Sequence, residues 1–215
     1  MEKLKLNDSA KNFLRGSDAR KCLQTDDLEG LYRLCKESWS LNSSDIILVW
    51  EALVLAGVNL ADSFKILPNG LLYGAKHLAT LDLSGTTATS IGSNFAENSS
   101  ITEVSIGDNI RTISNNAFYG CPNLKTVVLG DNVKRIEKYA FYDCPKLERI
   151  YLPESVSYIA EDALKANDHC YILSPPRKPG TLQVKGDISW LREHLGVDPR
   201  YREEAEAVAN EIESE

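Results

Sequence analysis

The side chains in this sequence with the greatest capacity for chemistry are five cysteines and three histidines. Cys121 and Cys144 lie 23 residues apart in two matching segments, so a repeating fold would place their thiols on neighbouring turns, like two ligands of a zinc site. A structural zinc ion takes four ligands, and no C-x-x-C or H-x-x-x-H pair supplies the other two. Asn98 and Asn167 occupy the corresponding positions of the adjacent segments. We therefore interpret the column as a ladder of small residues and predict no metal.

The histidines do not form a catalytic constellation. His77, His169 and His194 are far apart in the sequence, and catalysis requires groups that converge on one point. The sequence also lacks the G-x-x-x-x-G-K-[ST] and G-x-G-x-x-G loops that cradle phosphates. We predict no catalytic residues, no cofactor and no enzymatic activity.

The composition is that of an ordinary globular protein with an acidic bias. The chain has 215 residues, 43% of them hydrophobic, and a net charge of -7. Much of this charge lies in Asp198–Glu215, which holds seven acidic and two basic residues. An acidic protein repels nucleic-acid phosphates and anionic membranes, so direct binding to either is not expected.

Two features of the chain bear on its location. Its first residues run into charge without the apolar core of a signal peptide, and no stretch reaches the roughly 18 apolar residues of a membrane span. The cysteines are odd in number and widely spaced, which is typical of reduced thiols. We predict a cytoplasmic protein, or an extracellular one if a leader has been removed.

The dominant pattern is a repeat with a period of 23 residues. The segment Asn116–Leu124 recurs as Tyr139–Leu147, and each copy is followed by an alternating apolar triplet. Such a triplet is a strand with one buried face, which a single short strand cannot bury alone. Stacked copies form a parallel sheet whose inward residues make continuous columns such as Val104–Val127–Ile150. Phe118 and Phe141 are predicted to stack under the returning arm.

These motifs resemble a known family. The box A-F-x-x-C-x-x-L-x-x-I-x-L, followed by P-x-x-V-x-x-I at Pro153, Val156 and Ile159, is similar to the BspA-like leucine-rich repeat, over roughly residues 70–175. The resemblance implies a solenoid with a binding surface and no catalytic residues. Members of the family are often bacterial surface proteins and adhesins, with copies in protists and phage-like elements.

The predicted fold class is an α/β repeat, a leucine-rich-repeat solenoid with a parallel β-sheet, an N-terminal helical cap and C-terminal helices. Residues 1–57 carry apolar residues at helical spacing, with Asp45 as the predicted N-cap of the last helix; they cap the solenoid or form a separate partner-binding module. Residues 58–175 form the solenoid, with a degenerate first repeat and a final edge strand at Cys170–Leu173. Residues 176–215 form a linker and helices, one of which presents Leu195 on its apolar face.

Solvent-facing strand positions are the predicted partner contacts. They fall into three columns, which are Asp82–Ser105–Val128–Tyr151, Thr80–Glu103–Thr126–Arg149 and Ala79–Thr102–Lys125–Glu148. An exposed valine beside tyrosine and arginine is typical of an interaction hot spot. The candidate contacts are Asp82, Glu103, Ser105, Lys125, Thr126, Val128, Glu148, Arg149 and Tyr151. Tyr119 and Tyr142, one period apart, form a second and weaker aromatic patch.

Three functions are compatible with these features. The first is a protein-binding module that uses the solvent face of its sheet to bind a protein partner of unknown identity. The second is a small acidic inhibitor, from a phage or another mobile element, that blocks the basic channel of a nucleic-acid-handling enzyme. The third is a self-associating or surface adhesion protein.

Overall fold

The structure is a computed structural model that describes residues 4–58, 60, 64–165, 167 and 170–174, and the backbone of two strands at 183–184 and 195–197. It begins with four helices, which are α1 (Asp8–Arg15), α2 (Ser17–Gln24), α3 (Leu28–Glu37) and α4 (Ser43–Leu55). None of the described helices has both the length and the apolar character that crossing a bilayer demands.

The start of α4 differs from the prediction. Asn42, and not Asp45, is the N-cap: the backbone N–H of Asp45 donates to Asn42 Oδ1 at 2.9 Å, and the N–H of Asn42 donates to Asp45 Oδ2 at 3.0 Å. This reciprocal capping box satisfies two N–H groups that the helix itself cannot pair. Asp45 as the cap would satisfy fewer of them, so the helix starts three residues earlier than predicted.

An aromatic cluster joins the helices to the first turn of the solenoid. The ring centroid of Trp50 in α4 lies 6.1 Å from that of Tyr32 in α3 and 5.9 Å from that of Phe64. All three pairs, including Tyr32 with Phe64, meet edge to face, which is a preferred arrangement of aromatic rings. Phe64 lies just before the first strand, so the helices cover the open end of the solenoid core.

The solenoid contains two parallel sheets, to which successive strands contribute alternately. The long-strand sheet consists of β2 (Thr80–Leu83), β4 (Glu103–Ile106), β6 (Thr126–Val128), β8 (Arg149–Tyr151), β10 (Tyr171–Ser174) and β12 (Leu195–Val197). The short-strand sheet consists of β1 (Ile66–Leu67), β3 (Ser90–Ile91), β5 (Thr112–Ile113), β7 (Arg135–Ile136), β9 (Tyr158–Ile159) and β11 (Gln183–Val184). The sequence predicted the first sheet but not the second, because two-residue strands are too short to show an alternating pattern.

Each sheet supplies one buried column of aliphatic side chains. In the long-strand sheet, Leu81, Val104, Val127, Ile150 and Ile172 pair in register and are all buried. In the short-strand sheet the buried column is Leu67, Ile91, Ile113, Ile136 and Ile159. The predicted inward column is therefore confirmed, and the second column closes the core from the opposite side.

The third side of each turn contains the A-F-x-x-C box and a stack of phenylalanines. Phe118 and Phe141 stack with 5.3 Å between ring centroids and an interplanar angle of 1°, as predicted. Phe95 meets Phe118 edge to face at 6.2 Å. Each box contains left-handed residues that are mostly Asn, Asp or Gly, but Tyr139 also adopts this conformation, with a φ of 59°.

The C-terminal end of the long-strand sheet corrects two predictions. The strand predicted at Cys170–Leu173 is β10, which starts and ends one residue later, and it is neither the last strand nor an edge, because β12 pairs with it in parallel. Leu195, predicted on a helix face, lies in β12. An uncovered edge of β10 would leave backbone N–H and C=O groups unpaired, and the added strand satisfies them. The other predicted features of residues 176–215 lie outside the described residues.

Candidate binding face

The outer surface of the long-strand sheet presents the predicted columns in the predicted register. Thr80, Glu103, Thr126 and Arg149 follow one another across the strands, and so do Asp82, Ser105, Val128 and Tyr151. In the third column, each backbone N–H donates to the carbonyl one turn earlier, from Thr102 to Ala79, Lys125 to Thr102 and Glu148 to Lys125, at 2.7–2.9 Å. We call this surface, bounded by β2 and β10, the binding face.

Aromatic and aliphatic side chains concentrate at the β10 end of the binding face. Val128 is 41% exposed and lies directly opposite Tyr151. On the next strand Tyr171 is 67% exposed and lies opposite Arg149, while the half-buried Leu173 lies opposite Tyr151. Four neighbouring positions on three strands thus form a continuous apolar and aromatic patch beside one arginine.

The β2 end of the binding face is acidic. Asp82 and Glu103 are exposed on neighbouring strands in adjacent columns. The backbone N–H of Ser84 donates to Asp82 Oδ1 at 2.8 Å, and this hydrogen bond lowers the pKa of the Asp82 carboxyl. Asp82 therefore carries its negative charge at neutral pH, and the binding face changes from acidic to apolar along the solenoid.

The structure brings all nine predicted contact residues to one surface. Two are half-buried, Thr126 and Tyr151, and the other seven are exposed, namely Asp82, Glu103, Ser105, Lys125, Val128, Glu148 and Arg149. Their role in partner contact stays a prediction.

Sequence reasoning missed Tyr171, the most exposed aromatic residue of the binding face. Tyr171 pairs with Arg149, so the interval from β8 to β10 is 22 residues, and a strict 23-residue period points to Ile172 instead. Ile172 is buried opposite Ile150. Aligning the apolar pattern of this strand on its inward isoleucine would have placed Tyr171 correctly.

The cysteine column is a buried hydrogen-bonded ladder, and one predicted member was wrong. Ser99, and not Asn98, precedes Cys121: Ser99 Oγ lies 3.4 Å from Cys121 Sγ, whereas Asn98 is exposed. The repeat is one residue shorter here, which shifts the register. Asn167 closes the ladder, since its Oδ1 accepts the backbone N–H of Cys144 at 2.9 Å.

Three of the four buried thiols have a raised pKa, whereas hydrogen bonding with the Cys144 side chain lowers the pKa of Cys121. Burial raises the pKa of Cys35 and of Cys170 to about 12. Hydrogen bonding with the Cys121 side chain, together with burial, raises the pKa of Cys144 well above its ordinary value. Since the thiolate is the reactive form, Cys35, Cys144 and Cys170 are poor nucleophiles and poor metal ligands.

Burial and the raised pKa values give a labelling prediction, in which Cys121 is protected by its burial alone. At pH 8, iodoacetamide should modify Cys22, the half-buried cysteine, and leave Cys35, Cys121, Cys144 and Cys170 unmodified in the folded protein. All five thiols should react after denaturation. Mass spectrometry of the intact chain and its peptides measures this directly, and rapid native labelling of Cys144 would contradict the described packing.

His77 has a structural partner. Its Nδ1 lies 2.9 Å from Oε2 of Glu51, a buried residue of α4, and its backbone N–H donates to Oε1 of the same carboxylate. His169 and His194 lie outside the described residues. Within the part of the chain that the structure describes, no three His, Cys, Asp or Glu side chains are grouped so that they could hold a metal ion.

The predicted second aromatic patch contains three tyrosines. Tyr119 and Tyr142 stack at 5.7 Å between ring centroids, with 3° between the ring planes. Tyr139 meets Tyr142 edge to face at 5.2 Å, and Lys138 Nζ lies 4.8 Å from the centroid of the Tyr139 ring. The three rings are half-buried against one another, so they present less free surface than the binding face.

Comparison with a protein-family model agrees with this architecture. The family model described as BspA type leucine rich repeat region matches six copies over residues 52–176, more than half of the chain. Among solved structures, the chain is similar to a leucine-rich repeat protein from Bacteroides ovatus, with 23% identity and a TM-score of 0.49. The similarity covers 65% of this chain and 35% of that one. A comparison with curated proteins finds no match. Given the extent of the family match, the chain belongs to the BspA type leucine rich repeat family.

Proposed function

We propose that this protein is a non-enzymatic binding module that recognises a protein partner through the binding face. The observation that supports this most strongly is the patch that the exposed Val128 and Tyr171 form with the half-buried Tyr151, beside Arg149. Tyrosine and arginine are enriched among the residues that contribute most to binding energy at protein interfaces. Exposed apolar side chains on neighbouring strands gain free energy when a partner removes them from water.

The solenoid favours binding because the patch is already ordered. Its side chains stand on strands that are hydrogen-bonded on both sides, and their inward neighbours Val127, Ile150 and Ile172 are buried. The backbone under the patch is therefore already ordered before a partner binds. Less conformational entropy is lost on association, which lowers its free-energy cost. Asp82 and Glu103 make the β2 end of the binding face acidic, so this end favours a partner whose facing surface is positively charged.

Site-specific photo-crosslinking tests the proposal. A photoreactive amino acid at position 128 should capture a discrete protein from cells of the source organism, and mass spectrometry would identify it. The matched control is position 66, because Ile66 is a β-branched residue, 57% exposed, on the short-strand sheet. Capture of the same protein with equal yield from both positions would contradict specific recognition by the binding face.

The two alternative functions, an acidic inhibitor and a self-associating or surface adhesion protein, stay predictions. The inhibitor hypothesis depends on the acidic residues 198–215, which lie outside the described residues, and it expects strong salt sensitivity of binding to a nucleic-acid-handling enzyme. The hypothesis of self-association expects oligomers in light scattering at high concentration. Identification of the captured protein separates both from the main proposal.

A further inference from the structure

The outer surface of the short-strand sheet carries a column of cations. The backbone N–H of Thr89 donates to the carbonyl of Lys65 at 2.9 Å, that of Arg111 to Thr89 at 2.8 Å, and that of Lys134 to Arg111 at 2.9 Å. Lys65, Arg111 and Lys134 therefore lie in one line across the sheet, and all three are exposed. We call these three residues the basic column.

The charges of the basic column are poorly neutralised by the part of the chain that the structure describes. Neighbouring strands lie about 4.8 Å apart, so Arg111 and Lys134 are like charges directly opposite each other, which is destabilising. Among the described residues, no carboxylate lies within 4.0 Å of any of the three cations, whereas nearby Arg135 has Glu137 at 2.9 Å. The chain has 31 acidic and 24 basic residues, so this line of cations runs against its overall charge.

We propose that the basic column binds an acidic polypeptide segment with carboxylates at alternate positions. Three strand intervals of about 4.8 Å separate Lys65 from Lys134, a span of about 14 Å. An extended peptide rises about 3.4 Å per residue, so carboxylates at positions i, i+2 and i+4 also span about 14 Å. Each flexible cation can then reach one carboxylate.

The same geometry disfavours nucleic acid as the occupant. A duplex carries one negative charge per about 1.7 Å of its axis, or about eight over this span, against three cations. Asp108, Asp131 and Glu154 are exposed at the adjacent turns and would repel so dense a charge. A short acidic peptide that follows the column has one carboxylate for each cation and keeps away from these turns.

The chain itself contains the required pattern, with Glu211, Glu213 and Glu215 at alternate positions. A fluorescent peptide with the sequence of residues 205–215 is therefore the probe, measured by fluorescence anisotropy at low salt. The same peptide with these three glutamates replaced by glutamine, and a single-stranded DNA of similar length, are the comparison ligands. The protein is the full chain carrying the same three Glu→Gln changes, so that its own carboxylates do not compete.

Lys134→Glu is the decisive variant, and Lys146→Glu is its control with the same change in net charge. Lys146 is exposed, and its Nζ donates a hydrogen bond to Asn123 Oδ1 at 2.9 Å. We expect Lys134→Glu to weaken peptide binding by about tenfold or more, and Lys146→Glu to change it by less than about threefold. Lys134→Glu should also raise the melting temperature by about 1–2 °C, because it turns a like-charge pair with Arg111 into an opposite pair.

Equal weakening by the two variants would overturn the proposal, since only net charge would then matter. Tighter binding of the DNA than of the peptide, lost in Lys134→Glu, would assign the column to nucleic acid instead. A fall in the melting temperature of Lys134→Glu would contradict the unneutralised pair with Arg111. Because the basic column and the binding face lie on different sheets, none of these outcomes bears on the proposed function.

Discussion

Replacing Phe118 with alanine is expected to lower the free energy of unfolding by about 3–5 kcal/mol, the usual loss for a large buried aromatic residue. The Phe118 side chain has no solvent exposure and contacts the rings of Phe95 and Phe141 on the two adjacent turns. The substitution leaves a cavity in the middle of the stack, where aligned turns have little freedom to collapse. Chemical denaturation followed by circular dichroism measures the loss.

The control for this prediction is the neighbouring residue. Tyr119→Ala removes a ring that also stacks on the adjacent turn, against Tyr142, but that ring is half-buried on the surface. We expect a loss of about 1 kcal/mol, in the range of an aromatic pair at a partly exposed site. If Tyr119→Ala destabilised the protein as much as Phe118→Ala, the phenylalanine stack would not be the core of the solenoid.

Replacing Glu51 with alanine is expected to lower the free energy of unfolding by about 3–5 kcal/mol, as when one partner of a buried polar network is removed. Glu51 is 1% exposed, and its Oε1 accepts the backbone N–H groups of His77 and Leu78 just before β2. Alanine leaves these two donors without their acceptor in a water-poor site, which carries the full desolvation cost. Thermal and chemical denaturation measure the change.

Two further variants sharpen this second test. Glu51→Gln keeps an acceptor oxygen for the backbone, so its loss should be smaller than that of Glu51→Ala. Glu29→Ala removes an exposed carboxylate from α3 and should change stability by less than about 0.5 kcal/mol. Equal effects of Glu51→Ala and Glu29→Ala would show that Glu51 does not join the helices to the solenoid.

The features that the sequence predicted well are those that every turn repeats. Val104, Val127 and Ile150 follow one another at a fixed interval, and a buried column requires such an interval, so both their burial and their register were predictable. The stacking of Phe118 on Phe141 follows from the same regularity.

The features that the sequence did not predict depend on local departures from the period. One repeat that is shorter by one residue places Ser99 beside Cys121. A second repeat of the same shorter length places Tyr171 opposite Arg149 on the outer surface. Tyr139 occupies a left-handed position at which the preceding turns have asparagine, and no propensity rule anticipates a tyrosine there.

The binding face was predictable in outline, and the basic column was not. Alternation along β4 and β6 separates inward from outward residues, so the contact columns could be written from the sequence. Lys65, Arg111 and Lys134 lie at intervals of 46 and 23 residues beside two-residue strands. These intervals are multiples of the 23-residue period, but strands of two residues show no alternation from which the outward direction of the three side chains could be predicted.

Isothermal titration calorimetry tests recognition through the binding face most directly. The partner identified by photo-crosslinking is purified, and its affinity is measured for the unaltered protein, for Val128→Glu and for Ile66→Glu. Val128→Glu places a charge in the centre of the binding face and should weaken binding by about 30-fold or more, the effect of losing a hot-spot residue. Ile66→Glu places the same charge on the short-strand sheet and should leave the affinity within about twofold of the unaltered protein. Unchanged affinity in Val128→Glu, with a loss in Ile66→Glu, would contradict recognition through the binding face.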